Sequence, residues 1–424
     1  MVLQSRPISE GINLTVLPTD KLKSNLMIVE LRCPLRAETA THYSLLTNVL
    51  SRCCREYPSL RSFNVALEEL YAADVDSYVS KNGEVQRVRF KLSCIENDYT
   101  YDRSDVLAGA MRLLGAMIFD PLLDDGVFPD YVVESEKKNL KEEIQSLKDD
   151  KGRFAITRCI RNMCADEAYS VAVGGDEEVL AGITGRELKA HYDTLLKTAP
   201  VDIYFVGNTD ADTISEYCKR YLPFTPRPFN IYPTEIRQVR GEIKYITEEA
   251  DAVQSKLCMG YRTGVSICDE EYPALLLACD VLGSPSGKLF VNVREKMGLC
   301  YYCSPHLDGV KGLLLISAGI YAKDREKAEK AIEAQIEQLK LGNISESELT
   351  AAKVAATTAY KEIYDSAGAM INWYATRKGI GLSVTPEIMA ERIAATTAAD
   401  IAAVARRLTA DTFFMLKGED GDGE

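Results

Sequence analysis

Histidine is almost missing from this chain: three residues in 424, His42, His191 and His306, with a single tryptophan. None of the three has the histidine and glutamate partners of a forward or inverted zinc motif, so the usual imidazole route to a metal centre is closed. Basic runs are lacking too. The net charge is −13 and the pI about 5.0, and no Lys/Arg cluster interleaved with aromatics offsets a field that repels phosphate, which excludes nucleic acid as a partner. No window approaches the roughly 20 apolar residues of a membrane span. Met1 to Thr15 hold no basic stretch leading into an apolar core, so the expectation is a chain that avoids the membrane and stays in the cytoplasm.

What is present suits a folded protein. Hydrophobic residues make up 46% and charged residues 27%, enough apolar matter for one or two substantial cores and too much for disorder. The twelve cysteines are scattered through predicted helices and strands, with Cys53-Cys54 and Cys300/Cys303 as the only clusters. In a long chain this usage reads as small buried hydrophobes in a reducing compartment, and no second pair stands at metal spacing. A cysteine nucleophile at Cys53 or Cys54 lacks a histidine placed beside it in sequence.

Two halves follow one plan. A strand at 26–33 leads to an apolar helix around Leu45, Leu46, Val49 and Leu50, a second helix near 62–71, and a hairpin turning at Asn82-Gly83. The outgoing strand alternates Val88, Phe90, Leu92 and Cys94 with Arg87, Arg89, Lys91 and Ser93, which predicts one core face and one wet face. Long helices at 105–117 and 130–147 and a strand at 201–206 close the half. The second half repeats the order: a strand at 253–261, an apolar helix at 272–282, a helix at 287–296, and a hairpin at Asp308-Gly309. A helix at 323–341 then precedes one opened by the capping box Ser345-x-x-Glu348, and a strand at 412–416 ends the half. The join at 223–233 holds four of the chain's 15 prolines and reads as a semi-rigid extended linker. The predicted division is 1–222, a linker 223–240, and 241–424.

Three segments carry a family likeness. The first helix runs His42-Tyr43-Ser44-Leu45-Leu46-Thr47-Asn48 and ends in Glu56-Tyr57-Pro58-Ser59. The acidic helix reads Glu136-Lys137-Lys138-Asn139-Leu140-Lys141-Glu142-Glu143. In the second half Gly283-Ser284-Pro285-Ser286-Gly287-Lys288-Leu289-Phe290 is followed by Val293-Arg294-Glu295-Lys296-Met297-Gly298-Leu299-Cys300-Tyr301. Over nearly the whole chain this order resembles the insulinase/pitrilysin, or inverzincin, metallopeptidases, including the mitochondrial-processing-peptidase branch and its bacterial relatives.

That family marks its zinc site with H-x-x-E-H, and the likeness puts Ser44, Thr47 and Asn48 where the two histidines and the glutamate should stand. Glu136 and Glu143 match its acidic segment, in which one glutamate is the third zinc ligand, but two carboxylates alone do not make a zinc site. Arg294 and Tyr301 match the pair that holds the substrate backbone; a guanidinium fork and a phenol can both donate to a peptide carbonyl. The resemblance therefore implies an α+β fold of two tandem homologous domains, each a mostly antiparallel sheet with helices on one face, forming half of a clamshell. It implies no catalytic residue, no metal and no cofactor. The chain would be the non-catalytic subunit of a heterodimeric zinc peptidase, enclosing an extended peptide for an active zinc-containing partner, with a homodimer also possible. Two other classes stay open: a pure scaffold, and a self-sufficient hydrolase with an unrecognised site. Retention of Arg294 and Tyr301 favours the first reading.

Overall fold

The computed structural model describes residues 3–238 and 241–419; positions 239 and 240 of the expected linker lie outside the described residues. Eleven strands are β1 (Gln4–Ser9), β2 (Ile12–Pro18), β3 (Ser24–Pro34), β4 (Asp74–Asn82), β5 (Val85–Ile95), β6 (Val201–Gly207), β7 (Lys244–Glu249), β8 (Ser255–Arg262), β9 (Tyr302–Asp308), β10 (Leu313–Ile320) and β11 (Thr409–Lys417). The helices of the first half are α1 (Ala37–Arg52), α2 (Leu60–Glu68), α3 (Val106–Phe119), α4 (Asp130–Ser146), α5 (Lys151–Met163), α6 (Glu177–Gly182), α7 (Gly185–Thr198) and α8 (Ala211–Tyr221). Those of the second are α9 (Tyr272–Gly283), α10 (Arg325–Lys340), α11 (Glu346–Glu362), α12 (Ala367–Lys378), α13 (Pro386–Ala395) and α14 (Ala398–Ala405).

The strands form two sheets, β1-β2-β6-β3-β5-β4 and β7-β11-β8-β10-β9. Five strands of the first match the second in order and direction: β2 and β6 run parallel as β7 and β11 do, and the remaining pairs are antiparallel. The fold is mixed α+β. The compact units, however, are not contiguous in sequence: one comprises Met1–Ile144, Val171–Pro233 and Ile363–Ser383, the other Gln145–Ser170, Thr234–Glu362 and Val384–Glu424. Helix α5 thus belongs with the second sheet, and α12 with the first.

In the first unit, one face of the sheet supplies Val29, Leu31, Val88 and Phe90 to a core with Leu45, Leu46 and Val49 of α1, Met111 and Leu114 of α3, and Leu188 of α7. The opposite face, expected to be wet, is covered by α12: Leu17, Ile28, Tyr204 and Val206 pack on Met370, Ile371 and Ala375. Arg87 and Arg89 are consequently 8% and 3% exposed. Burial at that depth demands partners. Arg89 Nε donates to Glu30 Oε2 at 2.7 Å and its NH1 to Asn372 Oδ1 of α12 at 2.8 Å. Arg32 Nε lies 3.0 Å from Asp202 Oδ2, and Lys378 Nζ of α12 lies 2.9 Å from Asp202 Oδ1. The period-two pattern sets which residues share a face, but the phase expected to be wet is covered by a helix from the second half of the sequence.

The second unit repeats the device with α5. Ala155 and Cys159 pack on Cys258, Leu315, Phe414 and Leu416, and Arg262, 1% exposed, bridges Glu167 at 2.7 Å and Asp411 at 3.0 Å. The alternate residues Leu257, Met259, Phe413 and Met415 are buried as well. Helix α9 borders β9 and is packed by α10, α11, α13 and α14.

Two turns differ from expectation. Asn82 pairs with Val85, so the central residues of the first hairpin are Gly83 and Glu84, with Gly83 at φ +57, the position where a two-residue loop needs glycine first. The second hairpin uses the four residues 309–312; Asp308 Oδ1 accepts from the backbone of Val310 and Lys311 at 3.0 and 2.9 Å, and Gly312 sits at φ +68.

Candidate functional site

Helix α1 forms on its apolar face, which buries Leu45, Leu46, Val49 and Leu50; this fixes Ser44, Thr47, Asn48 and Ser51 on the neighbouring stripe at i, i+3, i+4 and i+7. Ser44 and Thr47 are 4% and 1% exposed. Thr47 Oγ1 donates to the Ser44 carbonyl at 2.8 Å, and the Thr47 carbonyl accepts from Ser77 Oγ of the edge strand β4 at 2.8 Å. One turn on, Ser51 Oγ donates to Asp76 Oδ1 at 3.0 Å and accepts from Ser77 N at 2.9 Å. Short hydroxyls here tie α1 to the edge strand.

Helix α4 brings the two carboxylates. Glu136 is buried and accepts from the Arg52 guanidinium and from Asn139 Nδ2 at 2.8 Å; Arg52 NH1 also donates to Ser135 Oγ at 2.9 Å. Glu143 is more open to solvent, yet desolvation raises its carboxyl above the ordinary range. A hydrogen bond from Asn48 opposes the rise, while the charges of Glu136 and Asp76 add to it. The structure thus brings Asn48 and Glu143 into contact and puts a fixed cation on Glu136.

Zinc does not fit these residues. One hydroxyl is spent on the helix's own carbonyl, the Asn48 amide on Glu143, and a guanidinium occupies the side of Glu136 where a second cation would be repelled. Among the described residues no group of three or more His, Cys, Asp or Glu is placed to hold a metal ion.

The second pair lies in the other unit. Residues Leu289–Lys296 form a π-helix, in which Met297 N bonds the Asn292 carbonyl at 3.2 Å, and Gly298 at φ +63 ends it. Such wide turns are uncommon and cluster at functional positions. Arg294 leaves the π-helix with a side chain 42% exposed, 3.7 Å from Glu295, and its guanidinium lies over the Phe290 ring at 4.7 Å. Tyr301, 46% exposed, immediately precedes edge strand β9. Its backbone N–H bonds the Gly319 carbonyl at 2.9 Å, its hydroxyl bonds the Tyr321 hydroxyl, and the two rings meet edge to face at 5.6 Å.

Sequence reasoning missed Arg52, Tyr321 and a stacked pair, His42 on His191 with ring centroids 4.0 Å apart. Arg52 could have been found, since it lies one turn beyond Asn48; Tyr321 and His191 carry no local signal.

The peptidase M16 inactive domain model matches residues 182–355. The chain is 29% identical over 412 residues, 97% of each chain, to a Bacillus subtilis protein named probable inactive metalloprotease YmfF. It is 24% identical over 249 residues, 58% of each chain, to one from the same organism named uncharacterized zinc protease YmxG. A crystal structure of a conserved protein from Enterococcus faecalis superimposes with a TM-score of 0.91 at 31% identity, over 99% of this chain and 100% of that one. No helix among the described residues is long and apolar enough to cross a membrane.

Proposed function

We propose, for a chain that belongs to the peptidase M16 family as an inactive, metalloprotease-like member, that it is the non-catalytic subunit of a two-chain zinc peptidase working in the cytoplasm. The observation that carries this reading is a contrast. At the matched positions of α1 the Thr47 hydroxyl is taken up by the Ser44 carbonyl and the Asn48 amide by Glu143, while Arg294 and Tyr301 stand about half open to solvent. Filled chemistry at one place and presented donors at the other suit a protein that binds and does not cut.

A planar guanidinium and a phenol can donate to successive carbonyls of an extended peptide. Strand β9 is a sheet edge, so a peptide beside Tyr301 could add as a further strand, its main chain supplying affinity and its side chains the selectivity. Cleavage would belong to a zinc-bearing M16 partner. That one organism holds both an inactive and a zinc-protease relative supports such a pairing.

The test is purification of the native assembly, expected to yield an M16 chain with intact H-x-x-E-H in equal amount, followed by kinetics of the pair. Each donor to a polarised carbonyl supplies on the order of 1.5 to 3 kcal/mol, so Arg294→Ala should lower kcat/KM at least roughly tenfold while assembly persists. Arg294→Lys should recover part of the loss, because it keeps the charge without the fork, and Lys330→Ala should change nothing. Unchanged turnover by an assembled Arg294→Ala pair would make the chain a scaffold.

A further inference from the structure

The buried charges on the polar face of the first sheet do not balance. Glu30 and Asp202 are 0% exposed, and Arg32, Arg89 and Arg87 are 1%, 3% and 8% exposed. Lys378 joins them from α12 with 26% of its side chain still in solvent. Setting Lys378 aside, three enclosed cations of this cluster meet two carboxylates among the described residues, so one positive charge is left over. The second sheet has no such surplus: around Arg262, the cations Arg262 and Lys311 meet the carboxylates Glu167 and Asp411.

Arg87 is the surplus group. Asp202 is taken by Arg32 and Lys378, and Glu30 Oε2 by Arg89. Arg87 comes no closer to a carboxylate than 3.8 Å, from its Nε to that same Glu30 oxygen. Its one hydrogen bond among the described residues runs from NH2 to the Lys81 carbonyl at 3.3 Å, which leaves Nε and NH1 enclosed without an acceptor. Register adds a second cation, because Arg87 stands directly opposite Arg32 on the neighbouring strand, a placement that like charges destabilise. Arg32 NH2 also lacks an acceptor. Burial holds Arg87 below the ordinary guanidinium range and Glu30 does not make up the loss, whereas at Arg89 burial is outweighed by Glu30 and Tyr78.

We propose that a small monovalent anion, of the size and charge of chloride, binds inside the first unit against Arg87 and Arg32, where the end of α12 meets the sheet. An anion accepts from the orphaned N–H groups and balances the charge, while a water accepts from them and leaves the charge uncompensated. A monatomic ion also asks for the least room in a packed interior. The competing occupant is a water bridging Arg87 to Glu30 Oε1, which has no donor of its own. The place is structural: Asn82 Nδ2 of the hairpin donates to the Thr376 carbonyl at 3.0 Å and Arg32 NH1 to the Gly379 carbonyl at 3.4 Å. Neutralising the two arginines there holds the last turn of α12 on the hairpin.

The test needs neither partner nor peptide and so stands apart from the function proposed above. The full chain is titrated with urea at constant ionic strength while sodium chloride replaces sodium gluconate, whose anion is too large to enter. The expected result is a midpoint that rises with chloride and saturates at unchanged slope, the signature of an ion bound by the folded state alone. Arg87→Met removes the cation and keeps an unbranched apolar stem, so its midpoint should not respond to chloride. Arg61→Met, at an exposed position, should respond as the natural chain does. A second measurement needs no variant: bromide soaked into crystals of the natural chain should give an anomalous peak within hydrogen-bonding distance of Arg87. A midpoint indifferent to chloride, a response that persists in Arg87→Met, or an Arg87 without bromide would overturn the proposal and leave water as the occupant.

Discussion

Arg32 and Arg262 stand at equivalent places in the two sheets and do the same work. Each reaches an aspartate on the adjacent strand, Asp202 or Asp411, at 3.0 Å, and each donates to a carbonyl at the C-terminal end of the helix supplied by the other half: Gly379 after α12 at 3.4 Å, Met163 of α5 at 2.7 Å. Helix ends leave unsatisfied carbonyls with partial negative charge, and a buried guanidinium is a suitable donor for them. The arginine therefore couples three things at once: two strands and the helix that covers them.

Arg262→Ala should be among the most damaging single changes in the chain. It strips Asp411 and the Met163 carbonyl of a buried donor, although Lys311 Nζ stays 2.6 Å from Glu167 Oε2. Removing one member of a buried ion pair typically costs roughly 3 to 5 kcal/mol. A urea titration should show the midpoint falling with an unchanged slope, and Arg32→Ala should follow the same pattern.

Restoring the motif tests the register of α1. Ser44→His, Thr47→Glu and Asn48→His together put large groups where side chains are now nearly enclosed, so the variant should lose stability through overpacking. If the helix faces Glu143 as described, zinc should bind the variant and raise its Tm, while leaving the Tm of the natural chain unchanged. A folded variant indifferent to zinc would show that the matched positions do not converge.

The raised carboxyl of Glu143 gives a signed pH effect. A carboxyl whose folded pKa lies above the ordinary 4.5 keeps its proton longer in the folded state, so the folded state binds more protons and stability falls as pH rises through that window. Glu143→Gln retains an acceptor for Asn48 and removes the charge. It should be slightly more stable than the natural chain near neutral pH, the gain disappearing as pH drops below the ordinary value. Thermal melts of both proteins across this range check it.

The stacked histidines give the opposite slope. Burial lowers both His42 and His191 from 6.5, the charge of His42 lowers His191 further, and Glu187 opposes the shift at each; a backbone hydrogen bond at Glu38 also favours charged His42. With folded values depressed, the unfolded chain takes up protons first, so stability is held above the ordinary value and lost as pH falls through and below it. His191→Phe keeps a ring on His42, between α1 and α7, and removes one titrating group. Urea midpoints at about pH 7.5 and about pH 5.5 should differ less in the variant than in the natural chain.

What could be read in advance was local. The capping box at Ser345, whose backbone N–H bonds Glu348 Oε2 at 2.8 Å, needs only residues three apart. So do the alternation of Val88, Phe90 and Leu92 and the recurrence of strand and helix in both halves. What could not be read depends on the chain meeting itself from afar. Arg89 looked solvated because nothing near it in sequence announces α12, whose Asn372 and Met370 arrive from the other half. His42 looked solitary because His191 stands on another helix. The contact of Asn48 with Glu143 joins two helices far apart in sequence and has no local signal, and neither has the pairing of buried Glu136 with the Arg52 guanidinium of α1.

The exchange of α5 and α12 also bears on descent and dissection. A fragment ending at the proline-rich join would leave Glu30, Arg32, Arg89 and Asp202 uncovered, and its counterpart would leave Arg262 and Asp411 in the same state. Neither fragment is self-sufficient, but two copies of one half could cover each other by reciprocal swapping of a helix. Tethering the two halves in one chain presents each sheet with its covering helix at an effective concentration that separate fragments do not reach.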